Sequence, residues 1–576
     1  MAPALSLGKV AALLFLCLYY GPEAWAQGLP GAADPGRVEQ PVMRPEFREE
    51  LEKTAPTLKP EEKKPFTAPP VETAPEGFAL ASIALEGNTV FTDQVLTQLV
   101  ADWFGKQVDI QGLQAIASTL EKYYQTRGYI LTRVIIPPQD IKNGQVTLQV
   151  IEGYVAQVQF DSYTSILELN DGLGLLQDLK RNIEAMRPLH GPTLESLLLR
   201  MEDLGAIQVK GTLVSLPPDQ AVPGAVNLRL ETSREKSVSG EVTVDNAGSR
   251  FSGPWQGTGR LSFVGLMNSF DQLRLTYLTT VPADEVKYGR IQYSLPISSA
   301  GTTVQAYGSI SDSTSGYTLE DFDITGLTRT LGLDITHPLV RSRSTLVNLG
   351  AGFEYRNIDT DILGTSLYRD RIRTARLTGS VYHTDSWGGF NAGLLEIRQG
   401  LDILGARETG SPELSRAEGH SDFTSLVLNA WRQQRLGDAW QASLRVAGQY
   451  AFSPLLSSEE FGFGGIDLGR GYDPSEITGD RGIAGSLELR YLGLSSPTGF
   501  SFEPFAFYDL GKVWNLDNNQ NPVSAASAGL GIDIVHSRGF SGYLLAAVPL
   551  TRRANDPPGY ANGTSARYLV GIKASF

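Results

Sequence analysis

Arg470 stands between two glycines in the stretch GRGYDPSEITGDRG, Gly469 to Gly482, with Tyr472 two positions on and Arg481 near the end. Glycine-rich polar segments usually lie outside strands, on loops. Strand-like sequence flanks this one further out on both sides, and composition alone leaves a solvated loop charge and a paired arginine equally open. Other chemistry is hard to assemble. The five histidines, His190, His337, His383, His420 and His536, are dispersed and lack metal-ligand spacing. There is no G-x-S-x-G elbow and no P-loop with which to use ATP. DNAGSR and DPSEITGD carry acidic residues, but neither fits the EF-hand calcium loop. The reading is therefore of no enzyme: no catalytic residue, no metal and no cofactor.

The elements that hold that loop belong to a long chain. Its 576 residues allow two or three domains. Apolar residues make up 41% and charged residues 19%, which excludes a wholly disordered chain. At the N-terminus Lys9 precedes the apolar run VAALLFLCLYY, Val10 to Tyr20, and Ala24-Trp25-Ala26 follows. That pattern describes a secretory signal peptide over 1–26. The run is too short to be a transmembrane anchor. Cys17 follows Leu16 rather than a small residue, which argues against a lipoprotein. It is also the sequence's one cysteine, so a chain cleaved after Ala26 has neither disulfides nor thiol chemistry. The net charge of −14 argues against nucleic-acid binding. No stretch reaches eighteen apolar residues, which excludes a helical span but not a β-barrel.

Residues 27–77 are rich in Pro, Glu and Lys. A short polar helix is expected around Arg44 to Lys53, as a possible plug, followed by a linker. From Phe78 the character changes. In DIQGLQAIASTLEKYYQTRG, Ile110, Leu113, Ile116, Leu120 and Tyr123 share a helix face, with Asp109 as N-cap and Gly128 as stop. YILTRVIIPPQ and GQVTLQVIEG read as strands. A helix with several strands makes a small α+β domain over 78–153. Residues 154–232 repeat the plan: strand YVAQVQF, helix TLESLLLRMEDLG with Thr193 as N-cap, and strands IQVKGTLVSLPP and GAVNLRLETS.

After Ser233 the chain becomes mainly β. Leu273, Leu275 and Tyr277 alternate with Arg274 and Thr276; Leu487, Leu489 and Tyr491 alternate with Ser486, Glu488 and Arg490. A soluble sandwich alternates in the same way. The signal peptide and the recurrence of such strands over 233–576 without clear helices favour a transmembrane barrel. The last strand, SARYLVGIKASF, sets Tyr568, Val570, Ile572, Ala574 and Phe576 on one face. Its terminal aromatic resembles the C-terminal assembly signal of outer-membrane barrels.

Taken in order, GYILTRVIIPPQDIKNGQVTLQVIEGYV, EVTVDNAGSRFSG and GRGYDPSEITGDRG resemble a two-partner secretion transporter of the Omp85 superfamily, over nearly all of the mature chain. The resemblance implies two POTRA domains before a 16-stranded outer-membrane β-barrel, with the POTRA domains in the periplasm of a Gram-negative bacterium. It implies that Gly469, Arg470, Gly471 and Tyr472 form a loop signature folded into the lumen. Phe507, Asp509 and Gly511 match the family's F-x-D-x-G pattern on the barrel wall, and Asp509 is the implied partner of Arg470. The family's usual valine is replaced here by Gly469. The implied partners are a large secreted exoprotein such as an adhesin or haemolysin, the barrel assembly machinery during biogenesis, and outer-membrane lipid. Other Omp85 members are assembly factors, which usually carry more POTRA modules.

Overall fold

The computed structural model describes residues 29–38, 57–60, 77–205, 207–233, 236–281, 285–496, 498–516, 521–551 and 565–576. The signal peptide and the helix expected around Arg44 to Lys53 lie outside the described residues.

The first α+β unit is a three-stranded sheet covered by two helices, α1 (Asp93–Leu99) and α2 (Ile110–Thr126). Strand Gln145–Ile151 lies in the middle, parallel to Ser82–Glu86 and antiparallel to Arg133–Ile135. Leu113, Ile116, Leu120 and Tyr124 bury one face of α2 against Leu148 and Val150. The spacing of those residues puts them on one stripe of the helix, which is why it forms here. The Asp109 carboxylate accepts the Gly112 N–H at 2.8 Å and starts α2. Gly128 ends it at a φ of +94°, a conformation that favours glycine.

The second unit has a four-stranded sheet in the order Thr57–Pro60, Gln208–Ser215, Ala225–Ser233, Tyr154–Phe160. Its first strand comes from the N-terminal linker and runs parallel to Gln208–Ser215, covering that edge. Three helices pack on the sheet: α3 (Ser162–Leu169), α4 (Leu175–Glu184) and α5 (Gly191–Gly205). Of these the sequence predicts only α5, with Thr193 at its N-cap. Instead α5 begins at Gly191, and its first bond runs from the Leu194 N–H to the His190 carbonyl, 3.0 Å. Pro192 explains the earlier start: it suits the first turn, where an N–H has no intrahelical acceptor. Thr193 pairs instead with His190 Nδ1 at 2.8 Å. The two units join through Gly191 N–H to the Gly128 carbonyl, 2.7 Å, and Leu189 N–H to the Gly153 carbonyl, 2.8 Å.

The rest closes into a barrel of sixteen antiparallel strands. These are β1 (Val238–Asp245), β2 (Gln256–Val264), β3 (Gln272–Thr280), β4 (Val286–Pro296), β5 (Thr303–Thr314), β6 (Ile324–Arg341), β7 (Thr345–Ile362) and β8 (Thr365–Thr384). They continue as β9 (Phe390–Gly400), β10 (Thr424–Leu436), β11 (Trp440–Ala451), β12 (Arg481–Tyr491), β13 (Phe500–Trp514), β14 (Val523–His536), β15 (Phe540–Pro549) and β16 (Arg567–Ser575). A two-residue strand, Leu494–Ser495, adds to the base of β13. Closure pairs Glu241–Asp245 of β1 with Gly571–Ser575 of β16.

Burial decides between sandwich and barrel. Leu331, Leu333, Leu487, Leu489, Leu530 and Ile572 are exposed on the outside, while Glu354, Ser486, Asp509 and Ser527 are buried. The apolar face looks outward and the polar face inward, the reverse of a soluble sandwich. Tyr568 and Phe576 also point outward. Aromatic pairs close both ends of the wall, Trp440 with Tyr491 at the end nearer the α+β units and Tyr450 with Phe452 at the other.

Candidate functional site

The loop between β11 and β12, residues 452–480, does not stay outside the barrel. It carries a small antiparallel hairpin, Phe461–Phe463 with Ile477–Gly479, and its tip lies against the inner wall. Arg470 is at that tip, buried. Its backbone N–H and Nε donate to Asp509 Oδ2 at 2.9 and 3.2 Å, and Nη2 donates to Asp509 Oδ1 at 3.0 Å. Nη1 donates to Glu488 Oε2 at 2.7 Å, and Nη2 also to Ser486 Oγ at 2.7 Å. The guanidinium lies 3.6 Å from the centre of the Phe507 ring. A planar fork with a ring beneath it and carboxylates along its edges is the setting an arginine fills and a lysine cannot.

The glycines make this approach possible. Gly469 has a φ of +88°, and a Cβ there would stand 2.8 Å from the Phe463 ring. A β-branched valine is strained in that conformation. A Cβ on Gly471 would meet Ser527 Cβ at 2.8 Å and the Pro549 backbone N at 3.0 Å. Gly511 seats the Phe463 ring, which a Cβ there would meet at 2.3 Å. The F-x-D-x-G residues thus divide the work: Phe507 faces the guanidinium, Asp509 holds it, and Gly511 makes room for the loop's phenylalanine. Tyr472 is fully buried; its hydroxyl donates to the Ala526 carbonyl at 2.8 Å and contacts Thr551 Oγ1 at 2.6 Å. Arg481 takes no part. Its Nε donates to the Ala451 carbonyl at 2.9 Å, and its guanidinium covers the Tyr450 ring.

Several groups at this site were not singled out from sequence. Glu488 bridges Arg470 and Arg490, 2.8 Å from Arg490 Nη2. Ser527 donates to Asp509 Oδ2 at 3.3 Å. Asp473 at the loop tip accepts from Arg250 Nε at 2.6 Å. Asp480, at the loop's end, is fully buried and accepts from Arg416 Nη1 at 2.6 Å and from the Leu455 and Leu516 N–H groups, each at 2.7 Å. The available signal was the polar half of each alternating strand, GSLELRYLG for Glu488 and ASAGLG for Ser527.

Residues 29–38 sit in the same barrel mouth, in two 3-10 turns, Gly31–Ala33 and Pro35–Arg37. Arg37 Nη1 donates to the Ser457 carbonyl at 2.5 Å and Nη2 to the Glu460 carbonyl at 3.0 Å, both in the inward loop. Asp34 caps its own turn through the Gly36 N–H at 2.8 Å and accepts from the Tyr368 hydroxyl at 2.6 Å. Ser249 Oγ donates to the Ala32 carbonyl at 2.7 Å. Two segments of the chain therefore share the lumen and hold each other. No group of His, Cys, Asp and Glu suited to a metal occurs among the described residues.

Comparisons with known proteins agree with this arrangement. Residues 78–153 match the ShlB-type POTRA domain family. Over 539 residues the chain is 22% identical to the heme/hemopexin transporter protein HuxB of Haemophilus influenzae, covering 91% of this chain and 93% of that protein. It is 25% identical over 532 residues to the outer membrane transporter CdiB of Escherichia coli, covering 87% and 83%. The solved structure of CdiB from Escherichia coli superposes with a TM-score of 0.71 at 20% identity, covering both chains fully. Residues 224–534 match the family described as haemolysin secretion/activation protein ShlB/FhaC/HecB; this is more than half of the chain, which therefore belongs to that family of outer-membrane secretion transporters.

Proposed function

We propose that this chain exports one dedicated secretion partner, captured unfolded in the periplasm and passed through the barrel to the cell surface. The observation that carries the reading is a family transporter barrel whose lumen holds two of its own segments, each fixed by buried polar bonds. A passive porin needs no such segments and no α+β modules in front of it. The division 1–26, 27–77, 78–153, 154–232 and 233–576 fits this: leader, plug and linker, two POTRA domains, barrel. Strand addition is the mode of capture, because sheet edges accept extended peptides through main-chain bonds. The strand Thr57–Pro60 already makes such bonds on the edge of the second module. Arg470 and Asp509 hold the loop in its closed seat, and opening requires that pair to separate. Nothing in this mechanism asks for catalysis or a cofactor. The barrel reaches the membrane through the assembly machinery, with Tyr568 and Phe576 on the last strand as its signal.

The test is deletion of the gene followed by proteomics of the medium and cell surface. Loss of one large protein, with other outer-membrane barrels at normal levels, is the expected result. A joint fall of many barrels would make this an assembly factor instead.

A further inference from the structure

The second module is fixed to the first periplasmic turn of the barrel, residues 265–271, between β2 and β3. The Ser269 N–H donates to the Asn170 carbonyl at 3.2 Å, and Ser269 Oγ donates to the Leu167 carbonyl at 2.8 Å. Phe270, 1% exposed, belongs to the hydrophobic core of the module itself. Asp271 closes the turn by accepting the N–H groups of Leu266, Met267 and Asn268 at 2.7, 2.8 and 3.1 Å, and the Tyr293 hydroxyl at 2.8 Å.

Beside this well-satisfied junction stand large apolar side chains that the chain leaves open. Leu169 is 85% exposed, Met267 79%, Leu266 and Ile166 54% each, and Leu173 46%. Ile166, Leu169 and Leu173 come from α3 and the turn after it; Leu266 and Met267 come from the barrel turn. They flank the two Ser269 hydrogen bonds. A single exposed leucine is ordinary, but five large apolar side chains at one junction mark an interaction surface.

The length of the strands says what lies against it. β2 and β3 have nine residues each. At about 3.4 Å per residue and a tilt of about 40°, they rise roughly 23 Å, against an apolar band roughly 25 Å tall. The hairpin has no length to spare, so its turn begins where the hydrocarbon ends. Leu261, Phe263, Leu273 and Leu275 share the outward face of the same two strands, paired across the hairpin. The open patch is continuous with that belt. Trp387, 81% exposed in the periplasmic turn between β8 and β9, is the kind of residue that sits at the same level.

We propose that Ile166, Leu169, Leu173, Leu266 and Met267 form a foot that lies in the periplasmic leaflet of the outer membrane. The foot holds the second module against the bilayer, where the bidentate pair of Arg341 with Asp203, at 2.7 and 2.9 Å, ties another side of the module to the barrel. The module then moves little relative to the pore.

The test is spin-label depth measurement on the full chain, with Cys17 replaced by serine. Nitroxides are placed at Leu169→Cys and Met267→Cys, and at Gln114→Cys on the exposed side of α2 as a water-facing control. The protein is reconstituted into vesicles of phosphatidylethanolamine and phosphatidylglycerol. The expected result is a several-fold rise in collision with oxygen relative to a water-soluble nickel chelate at Leu169 and Met267, and none at Gln114. Equal ratios at all three positions would place the patch in water and overturn the proposal. Shielding from both reagents only when the secreted partner is added would make it a protein-docking surface. Shielding without partner, together with dipolar coupling between labels, would make it a contact between two copies. Either overturns the lipid assignment. Should Leu169→Cys fail to give a heat-modifiable barrel, Leu173→Cys carries the same test.

Discussion

Arg470 spends four of its donor groups on three wall residues, Asp509, Glu488 and Ser486, and its charge is enclosed by Phe507. Truncating one partner of a buried charge pair leaves the other uncompensated, which costs about 3–5 kcal/mol. Arg470→Ala should therefore release the loop and cut secretion at least about tenfold, while heat-modifiable migration shows the barrel still inserted. Normal secretion would contradict the role given to Arg470. Asp509→Ala should behave alike, and a wild-type phenotype there would sink the pairing. Gly469→Val tests the backbone: strain of about 1–3 kcal/mol at a φ of +88° should loosen the loop even with Arg470 intact. Protease sensitivity of residues 452–480 is the readout. A loop as protected as in the parent protein would show that the valine is tolerated. The arginine between two glycines is a short local pattern and legible as such, whereas Phe507, Asp509 and Gly511 were reached only through the resemblance to the family's F-x-D-x-G pattern. Glu488, Ser486 and Ser527 were reached by neither route. They are ordinary inward positions on β12 and β14, and only barrel closure brings them to one guanidinium.

At the scale of the elements, the two α+β modules offer sheet edges and a titratable group. Deleting residues 78–153 should abolish partner capture, measured by pull-down of the secreted protein; unchanged binding would remove the capture role from the first module. In the second module, Glu202 of α5 accepts the Val209 N–H at 2.9 Å. Burial pushes its carboxyl up to about 7, more than that N–H and the charge of Arg341 pull it down. A carboxyl raised in the fold above its ordinary 4.5 favours the folded state while neutral. That contribution is complete below pH 4.5 and is lost as the pH rises through about 7. Hydrogen-exchange protection of Gly191–Gly205, corrected for intrinsic exchange, should fall over this window and stay flat in Glu202→Gln. A parallel fall in both proteins would exclude Glu202 as the cause. The stripe on α2 made that helix legible; α1 and α3 are short, seven and eight residues, and tertiary packing selects them, whereas α4 carries a stripe of its own in Leu175, Leu176, Leu179 and Ile183 that the expectations from sequence do not include.

At the scale of the molecule, the barrel is closed at its seam and filled at its mouth. Residues 29–38 hold the inward loop through Arg37, and that loop holds the wall through Arg470. Release of one segment should thus ease release of the other. Removing residues 36–53 should raise single-channel conductance in planar bilayers several-fold. Unchanged conductance would mean that this segment does not block the pore. Combining that deletion with Arg470→Ala should give an effect different from the sum of the two, since the groups share one loop.

Local patterns carried much of this protein. Alternating residues marked strands, the helical stripe of α2 marked an α+β module, and the glycines around Arg470 marked a special loop. Those features depend on neighbours two to four positions apart, which a linear sequence displays directly. Which face of each strand meets water was not among them, because sandwich and membrane barrel share the same alternation. Closure of β1 on β16 settled that, by placing Asp509 inside and Ile572 outside. The tertiary structure also decided what Arg470 meets beyond Asp509, where Thr57–Pro60 pairs, and that residues 29–38 reach the barrel mouth. Each joins groups far apart in the chain, such as Arg37 with Glu460, and no spacing rule encodes a contact made only when sixteen strands close into a ring.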